Sequence, residues 1–252
     1  MASKGYKENP KTKGSGIICA IPQTGECPMH CEDCYFQSGR SYLEPLAQNL
    51  PNMPSDEEAK NRIVRVNDGN DSNVERELVL RETARYPNKF YNTSIPEPFD
   101  FPWVLTVNPG KMTDTAFHRL DPITPSLMFV RFRANTWNSK VMDDAVAYYT
   151  SRNVPVILTF MRYWKYEGSI PKGSVTKYKK KVHITNEYCL IERRSWDVIM
   201  DRYADNQLVY SCGKDYENGK SGCKFCGNCI REYYNTLERM REVVEIAATA
   251  KA

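Results

Sequence analysis

A short segment near the start of the chain carries three cysteines, Cys27, Cys31 and Cys34, at a Cys-x3-Cys-x2-Cys spacing. Three thiolates this close in sequence can bind one metal centre, because a short loop needs little further chain ordering to fold around it. A disulfide would use only two of them. Iron-sulfur clusters of the four-iron type normally take four cysteines, so a three-cysteine loop leaves one iron with a site for another ligand. The segment therefore predicts a metal centre with an open position.

A second group of cysteines lies near the end of the chain, at positions Cys212, Cys223, Cys226 and Cys229. Zinc ribbons usually present two separate Cys-x2-Cys pairs, whereas consecutive Cys-x2-Cys-x2-Cys with one remote cysteine is the ferredoxin-like spacing. We predict an auxiliary four-iron cluster here, held entirely by thiolates. A structural zinc ion at the same four residues is the alternative that the spacing leaves open.

Composition restricts the class of protein but not its chemistry. The chain has 252 residues, of which 41% are hydrophobic and 26% charged, as in an ordinary globular domain and unlike a disordered or membrane protein. A net charge of +4 is too small to indicate nucleic-acid binding by itself. Residues Met1 to Gly16 are polar, without the apolar segment of a signal peptide. We expect a cytosolic location, where clustered thiols bind metal more often than they form disulfides.

Apolar, β-branched runs alternate with helical patterns, which is typical of parallel βα units. The predicted strands are Ile17 to Ile21, Ile63 to Val66, Phe90 to Ile95, Trp103 to Val107, Leu127 to Arg133 and Val156 to Phe160. The predicted helices are Ser72 to Arg85, Ser139 to Ser151 and Ile230 to Ala250. We therefore predict an α/β fold with a partial (βα)6-type parallel barrel over residues 1–165. Residues 166–252 form a C-terminal cysteine-rich extension with a closing helix.

The three-cysteine segment follows the first predicted strand directly, and this arrangement resembles the radical S-adenosylmethionine (SAM) superfamily. The resemblance covers roughly residues 16–165 as a pattern of elements, with the cysteine loop as its specific motif. It implies that the three cysteines hold a 4Fe-4S cluster and that the amino and carboxylate groups of SAM chelate the fourth iron. It also implies reductive cleavage of SAM to a 5′-deoxyadenosyl radical that removes hydrogen from a substrate. An external one-electron donor such as flavodoxin or ferredoxin would be the partner.

The same resemblance suggests which residues bind SAM around the cysteines. The family usually has an aromatic residue just before the third cysteine, whereas this chain has Asp33 there and Tyr35 after it. Tyr35 is therefore the candidate for packing against the adenine. The segment 67–71 is similar in position to the family's Gly-Gly-Glu-like segment, so Asp68 and Asn70 are candidates to accept the SAM ammonium group. An Asx-rich turn that caps the following helix is the alternative, and both can hold at once.

Further polar residues stand at the ends of the later strands, where ligands gather in α/β folds. Asn92 and Ser94 follow the third strand and Asn108 follows the fourth. Arg131 and Arg133 lie on one face of the fifth strand, because alternate residues share a face. One guanidinium could bind the SAM carboxylate as a bidentate partner. The alternative is that each of these residues reaches solvent.

A second hypothesis belongs to a different class of protein. Zinc could occupy the first cysteine segment with His30 nearby, although a closed tetrahedral site within so short a loop is awkward. Two zinc sites would give a non-catalytic, metal-stabilised binding protein. The basic run Lys177 to Lys181 could then contact nucleic acid, although such runs more often mark a solvated excursion. The sequence does not identify the substrate of either kind of protein.

Overall fold

Seven short apolar segments form one parallel sheet in the computed structural model, which describes residues 5–31, 34, 36–37, 39, 41–108, 119–163, 169–183, 186–215 and 220–249. The strands of this sheet are β1 (Ile17–Ala20), β2 (Ile63–Val66), β3 (Lys89–Thr93), β4 (Trp103–Val107), β5 (Leu127–Ala134), β6 (Val156–Phe160) and β9 (Val209–Ser211). They pair in the order β1-β2-β3-β4-β5-β6-β9, and every pair is parallel.

The strand order follows the chain order, as expected for a partial parallel α/β barrel. The predicted α/β class is confirmed, and β2, β4 and β6 have the predicted bounds. The seventh strand, β9, comes from the C-terminal extension and extends the sheet beyond β6. Its pairing continues the sheet that residues 1–165 begin.

Helices cover one face of the sheet, which we call the outer face. They are α3 (Arg76–Thr83), α4 (Ser139–Thr150) and α5 (Arg193–Asp201). Their buried side chains pack with alternate strand residues such as Val66, Leu105, Phe132 and Leu158. Burying each side chain of this size contributes about 1.5–3 kcal/mol. This face supplies most of the core.

The opposite, inner face carries a smaller apolar cluster that contains Phe90, Phe129 and Ile157. The C-terminal helix α7 (Asn228–Thr249) packs against it through Tyr233. The helical spacing of Tyr233, Leu237, Met240, Val244 and Ala247 predicted that these residues pack in the core. That prediction is wrong for the last part of the helix, because Val244 is 68% exposed.

The first predicted helix also begins later than the sequence indicated. We expected it to start near Ser72 with a cap among residues 70–72, but α3 begins at Arg76. Residues before it form a turn in which the Asp71 carboxylate binds the end of β3 instead. The tertiary hydrogen bonds of Asp71 replace the local capping interaction. Helix α4 begins at the predicted residue.

Smaller elements complete the described chain. They are α1 (Leu46–Asn49), α2 (Asp56–Ala59), a 3-10 helix (Lys172–Lys177), a hairpin of β7 (Tyr178–His183) and β8 (Asn186–Ile191), a pair of two-residue strands, β10 (Lys214–Asp215) and β11 (Lys220–Ser221), and α6 (Cys223–Cys226). No helix within the described ranges combines the length and apolar character needed to cross a membrane.

Candidate functional site

The three-cysteine segment lies at the carboxyl edge of β1, where the parallel strands of this fold present their ligands. Cys27 is buried, whereas Cys31 and Cys34 are partly exposed. The Gln37 side chain donates to the Cys27 carbonyl at 2.6 Å, and the Cys34 amide donates to the Cys31 carbonyl at 3.2 Å. These bonds fold the segment into a compact loop, which we call the first cysteine loop. The predicted adenine-packing residue, Tyr35, lies outside the described residues.

An aromatic side chain connects the first cysteine loop to the turn after β2. Phe36 is 1% exposed, and its ring lies directly against Gly69. A Cβ atom on Gly69 would stand 2.1 Å from the Phe36 ring, so only glycine permits this approach. Asn70 adds a hydrogen bond from its amide to the Gly25 carbonyl at 3.3 Å. The turn 67–71 therefore holds the cysteine loop in place.

A chain of polar contacts reaches Cys31 from two neighbouring strands. The Asn108 side-chain amide lies 3.6 Å from Cys31 Sγ as a donor, and Arg133 Nη1 donates to Asn108 Oδ1 at 3.1 Å. Arg133 Nε also lies 3.1 Å from Met161 Sδ. The sequence selected Asn108 and Arg133 as strand-end candidates, and the structure brings both to the first cysteine loop.

Burial and the neighbouring thiols both raise the pKa values of thiols in this loop. Burial raises the pKa of the Cys27 thiol to about 11. Burial also raises the pKa of Cys31, with a further contribution from Cys34, while the charge of Arg133 acts in the opposite direction. Metal binding must therefore displace protons from these sulfur atoms.

The two candidates in the turn after β2 are occupied by protein contacts. Asp68 accepts from Asn9, from the Tyr42 hydroxyl at 3.4 Å, and forms an ion pair with Arg65 at 3.4 Å. Asn70 accepts from the Asp71 amide at 2.9 Å and donates to the loop, whereas the Asx turn of this segment is formed by Asp71, which accepts from the Asn73 amide. Both residues support the turn and the loop in this structure.

Sequence reasoning missed Asn67, the residue directly after β2. It is 2% exposed and has a left-handed backbone with φ of 59°. Its amide donates to Ser72, but its Oδ1 atom has no hydrogen-bond partner among the described residues. A buried carbonyl oxygen that receives no hydrogen bond is an acceptor suited to an ammonium donor. Its position at a strand end was the signal that could have identified it.

Ser94 has a structural role at the end of β3. Its amide and hydroxyl donate to Asp71 Oδ2 at 2.6 and 2.7 Å, and Thr93 donates to Oδ1 at 2.7 Å. The Asn73 amide donates to the same carboxylate at 2.9 Å. Ser94 therefore fixes the turn that precedes α3.

Asn92 and Arg131 form a separate pair deeper on the inner face. Arg131 Nη1 donates to Asn92 Oδ1 at 2.9 Å, and the Asn92 amide donates to the Val66 carbonyl at 3.0 Å. Arg131 is close enough to Cys229 for its charge to lower the pKa of that thiol. Arg131 thus bonds to Asn92 whereas Arg133 bonds to Asn108, a difference that the sequence did not indicate.

The C-terminal cysteines gather around the end of β9 and the start of α7. The Cys212 amide donates to the Leu158 carbonyl at 2.8 Å. The Asn228 side-chain amide, at the start of α7, donates to the Ser211 carbonyl at 3.1 Å. Cys223 and Cys226 stand at the two ends of α6. Burial raises the pKa of Cys229 to about 12, and Cys212 and Cys223 are near enough to add to this rise.

The donor chemistry of both groups suits metal centres, although the thiols are not drawn together. All nine cysteines are unpaired, so no disulfide consumes a potential ligand. Within the described part of the chain, no three His, Cys, Asp or Glu side chains converge on a point that could hold a metal ion. The three thiols of the first cysteine loop therefore share one short segment but do not converge on a metal position in this structure.

Comparison of the chain with protein-family models, with curated proteins and with solved structures finds no match. The basic run Lys177 to Lys181 leads into β7, where Lys180 forms an ion pair with Glu187 of β8 at 2.6 Å. Part of the charge of this run is thus compensated within its own hairpin.

Proposed function

We propose that this chain is a radical SAM enzyme whose reactive centre is held by Cys27, Cys31 and Cys34. The observation that carries the proposal is the position of the first cysteine loop. It follows the first strand of a parallel sheet in chain order and lies beside polar residues from the ends of β4 and β5. When bound there, a 4Fe-4S cluster would supply the electron that splits SAM into methionine and a 5′-deoxyadenosyl radical.

The surrounding residues have distinct roles in this proposal. Asn108 donates toward the Cys31 sulfur, and a donor at a ligand sulfur favours the thiolate that a metal requires. Arg133 fixes the Asn108 carbonyl and brings a guanidinium to the same edge, where it would bind the SAM carboxylate. Asn67 Oδ1 is our candidate acceptor for the SAM ammonium. Asp68 and Asn70 would support that acceptor through the turn.

The remaining parts of the proposal concern partners and location. A one-electron donor such as flavodoxin or ferredoxin would reduce the centre, and a cytosolic location suits nine unpaired cysteines. The substrate is a molecule that gives up a hydrogen atom, and its class is not identified by the residues described. The C-terminal cysteines would hold a second 4Fe-4S cluster or zinc.

Anaerobic reconstitution with iron and sulfide tests the proposal directly. We expect a brown protein with about eight irons per chain if both cysteine groups hold four-iron clusters, and about four if only the first does. Addition of SAM and dithionite should then yield 5′-deoxyadenosine, measured by liquid chromatography. The variant Cys34→Ser should lose this product.

The matched control is Cys189→Ser, which changes a buried cysteine of β8 outside both groups. It should retain both iron and 5′-deoxyadenosine formation. A reconstituted wild-type protein that releases no 5′-deoxyadenosine would contradict the proposal. A colourless protein with two zinc ions would instead support the non-catalytic binding protein, and nucleic-acid binding that depends on Lys179 and Lys181 would then be tested next.

A further inference from the structure

We propose that the exposed face of the β7–β8 hairpin binds single-stranded nucleic acid. The face consists of Lys179 and Lys181 on β7 and of Tyr188 and Leu190 on β8, and we call it the basic hairpin face. Binding of this kind does not depend on SAM chemistry at the first cysteine loop. It gives the lysine run a role that a solvated excursion would not have.

The positive charge of the chain is concentrated around this hairpin. Residues 172–191, which form the 3-10 helix and the hairpin, contain five lysines and one acidic residue, Glu187. Their net charge of +4 equals that of the whole chain, so the rest of the chain is neutral in sum. A local excess of this kind attracts polyanions, which the net charge of the whole chain did not indicate by itself.

One side of the hairpin is fixed to the body of the protein. Tyr178, Cys189 and Ile191 are buried and belong to the main apolar core. Lys180 lies opposite Cys189 on this side, and it forms its ion pair with Glu187, the acidic residue of the hairpin. The hairpin is therefore an anchored element, and its own acidic charge is used by Lys180.

The other side of the hairpin, the basic hairpin face, points away from this core. Lys179 lies opposite Leu190 and Lys181 lies opposite Tyr188, and both lysines are exposed. The two lysines share this face because alternate residues of a strand point the same way, and two positions of a strand span about 6.8 Å. Their ammonium groups are therefore suited to successive phosphates of one strand.

An aromatic ring lies among these positive charges. Tyr188 is half-buried, and the guanidinium of the exposed residue Arg162 lies 5.2 Å from the centre of its ring, as in a cation–π contact. Proteins bind single-stranded nucleic acid by combining basic side chains for the phosphates with aromatic rings on which the bases stack. An acidic protein would use the charges but has no bases to stack on the ring, so Tyr188 favours nucleic acid as the partner.

The hairpin stands at the carboxyl edge of the sheet, which is also the edge of the first cysteine loop. Tyr163 and Cys189 exchange two backbone hydrogen bonds, at 3.1 and 2.8 Å, so β8 is joined to the segment that directly follows β6. Met161 of the same segment lies 3.1 Å from Nε of Arg133, which belongs to the candidate site. A strand on the basic hairpin face would thus lie at the edge where the proposed reactive centre opens.

Binding of a fluorescein-labelled oligonucleotide to the full chain tests this proposal. RNA and DNA strands of one mixed sequence, about 12 nucleotides long, would each be titrated with protein and followed by fluorescence anisotropy. We expect at least one of them to bind, with an affinity that falls as the salt concentration rises. No SAM or reductant is added, so a failure here is separate from a failure to form 5′-deoxyadenosine.

Removal of the two lysines should weaken binding through the loss of phosphate contacts. Lys179→Gln/Lys181→Gln should lower the affinity about 10-fold at about 0.1 M salt. It should also reduce the slope of log K against log salt concentration by about 1.4, because each phosphate contact of a single strand contributes about 0.7. The matched control is Lys13→Gln/Lys60→Gln, which removes the same charge from two exposed lysines a few residues before β1 and β2, toward the amino edge of the sheet. It should change the affinity by less than about 2-fold.

The aromatic ring is tested separately from the charges. Tyr188→Ala should weaken binding about 5-fold or more, because it removes the ring on which a base stacks. Tyr188→Phe keeps the ring and should bind as the unmodified chain does. Unlabelled polyglutamate, a polyanion without bases, should displace the strand less effectively than the unlabelled oligonucleotide. Circular dichroism of each variant checks that the fold is retained.

Three outcomes would overturn the proposal. The first is an unmodified chain that binds neither strand. In the second, Lys179→Gln/Lys181→Gln binds as tightly as the control Lys13→Gln/Lys60→Gln. In the third, Tyr188→Ala binds as tightly as the unmodified chain, or polyglutamate displaces the strand as well as the oligonucleotide does. The third outcome would indicate a surface for an acidic protein instead.

Discussion

The two cysteine groups pack against different apolar clusters and have different neighbours. The first cysteine loop stands at the carboxyl edge, with two of its three thiols partly exposed and a hydrogen-bond donor from Asn108 at Cys31. In the C-terminal group, Cys212 and Cys229 pack against apolar side chains of the inner face. One site is built from a loop and polar strand ends, and the other from a strand, two helices and the inner-face apolar cluster.

This difference corresponds to two kinds of thiolate site, one with an open coordination position and one without. A group of three cysteines at an accessible strand edge leaves a coordination position for a ligand that enters from solution. A group of four can satisfy a metal completely, and burial then protects it. Two arginines of β5 differ in the same way. Arg133 donates to Asn108, which contacts the first group, whereas the charge of Arg131 lowers the pKa of Cys229 in the second group. The predictions below test whether the two groups are independent.

The largest expected effect comes from removing a ligand of the first group. Cys31→Ser should reduce SAM-dependent formation of 5′-deoxyadenosine to background, because a two-cysteine loop cannot retain the cluster. Cys226→Ser, a change of the same kind in the second group, should leave measurable product. Product formation by reconstituted protein, normalised to iron content, checks this. Equal loss in the two variants would break the proposed division of roles.

A smaller effect is expected from the donor beside Cys31. Asn108→Ala should weaken metal binding at the first cysteine loop about 10-fold, because it removes a polar partner of a ligand and releases Arg133. Competition with a chelator, in a protein whose four C-terminal cysteines are alanine, measures it. Asn235→Ala, an exposed position on α7, serves as the control and should have no effect. An unchanged affinity in Asn108→Ala would remove Asn108 from the site.

The packing of the first loop on the turn after β2 gives a stability prediction. Gly69→Ala should lower the free energy of unfolding by about 1–3 kcal/mol, because the added methyl group would displace the Phe36 ring. Urea unfolding followed by fluorescence checks the change. Gly25→Ala lies in the same region, where an added Cβ meets nothing within 4 Å, and should change stability by less than about 0.5 kcal/mol. Similar losses in both variants would contradict the close approach.

The smallest expected effect is a dependence on alkaline pH in the metal-free protein. The fold raises the pKa of Cys27 from 9.0 to about 11 and of Cys229 from 9.0 to about 12, in both cases chiefly by burial. Folding therefore favours the protonated thiols, and their contribution to stability is complete below pH 9.0 and is lost as pH rises toward these values.

Urea unfolding of the metal-free chain between pH of about 8 and 11 measures this loss. The decline should be shallower in Cys27→Ala and in Cys229→Ala than in the unmodified chain, since each variant removes one titrating thiol. Burial also raises the pKa of Tyr6, and this shift contributes equally to all three proteins. Identical slopes in the three proteins would show that these thiols do not control the alkaline response.

The sequence by itself determined the fold class and the spacing of the two cysteine groups. Strands β2, β4 and β6 were predicted to the residue, because each is a short apolar run bounded by turn-forming or polar residues. The cysteine spacings are equally local, because they can be read from short segments of the sequence. Local pattern also predicted that Asn108 and Arg133 would stand at strand ends.

Only the tertiary structure decided which of the strand-end residues interact with each cysteine group. That the charge of Arg131 acts on Cys229 depends on where α7 packs against the sheet, which the neighbouring residues of β5 do not encode. The start of α3 at Arg76 likewise follows from the hydrogen bonds of Asp71 to β3. Such contacts join residues far apart in sequence, so residue type and spacing alone do not specify them.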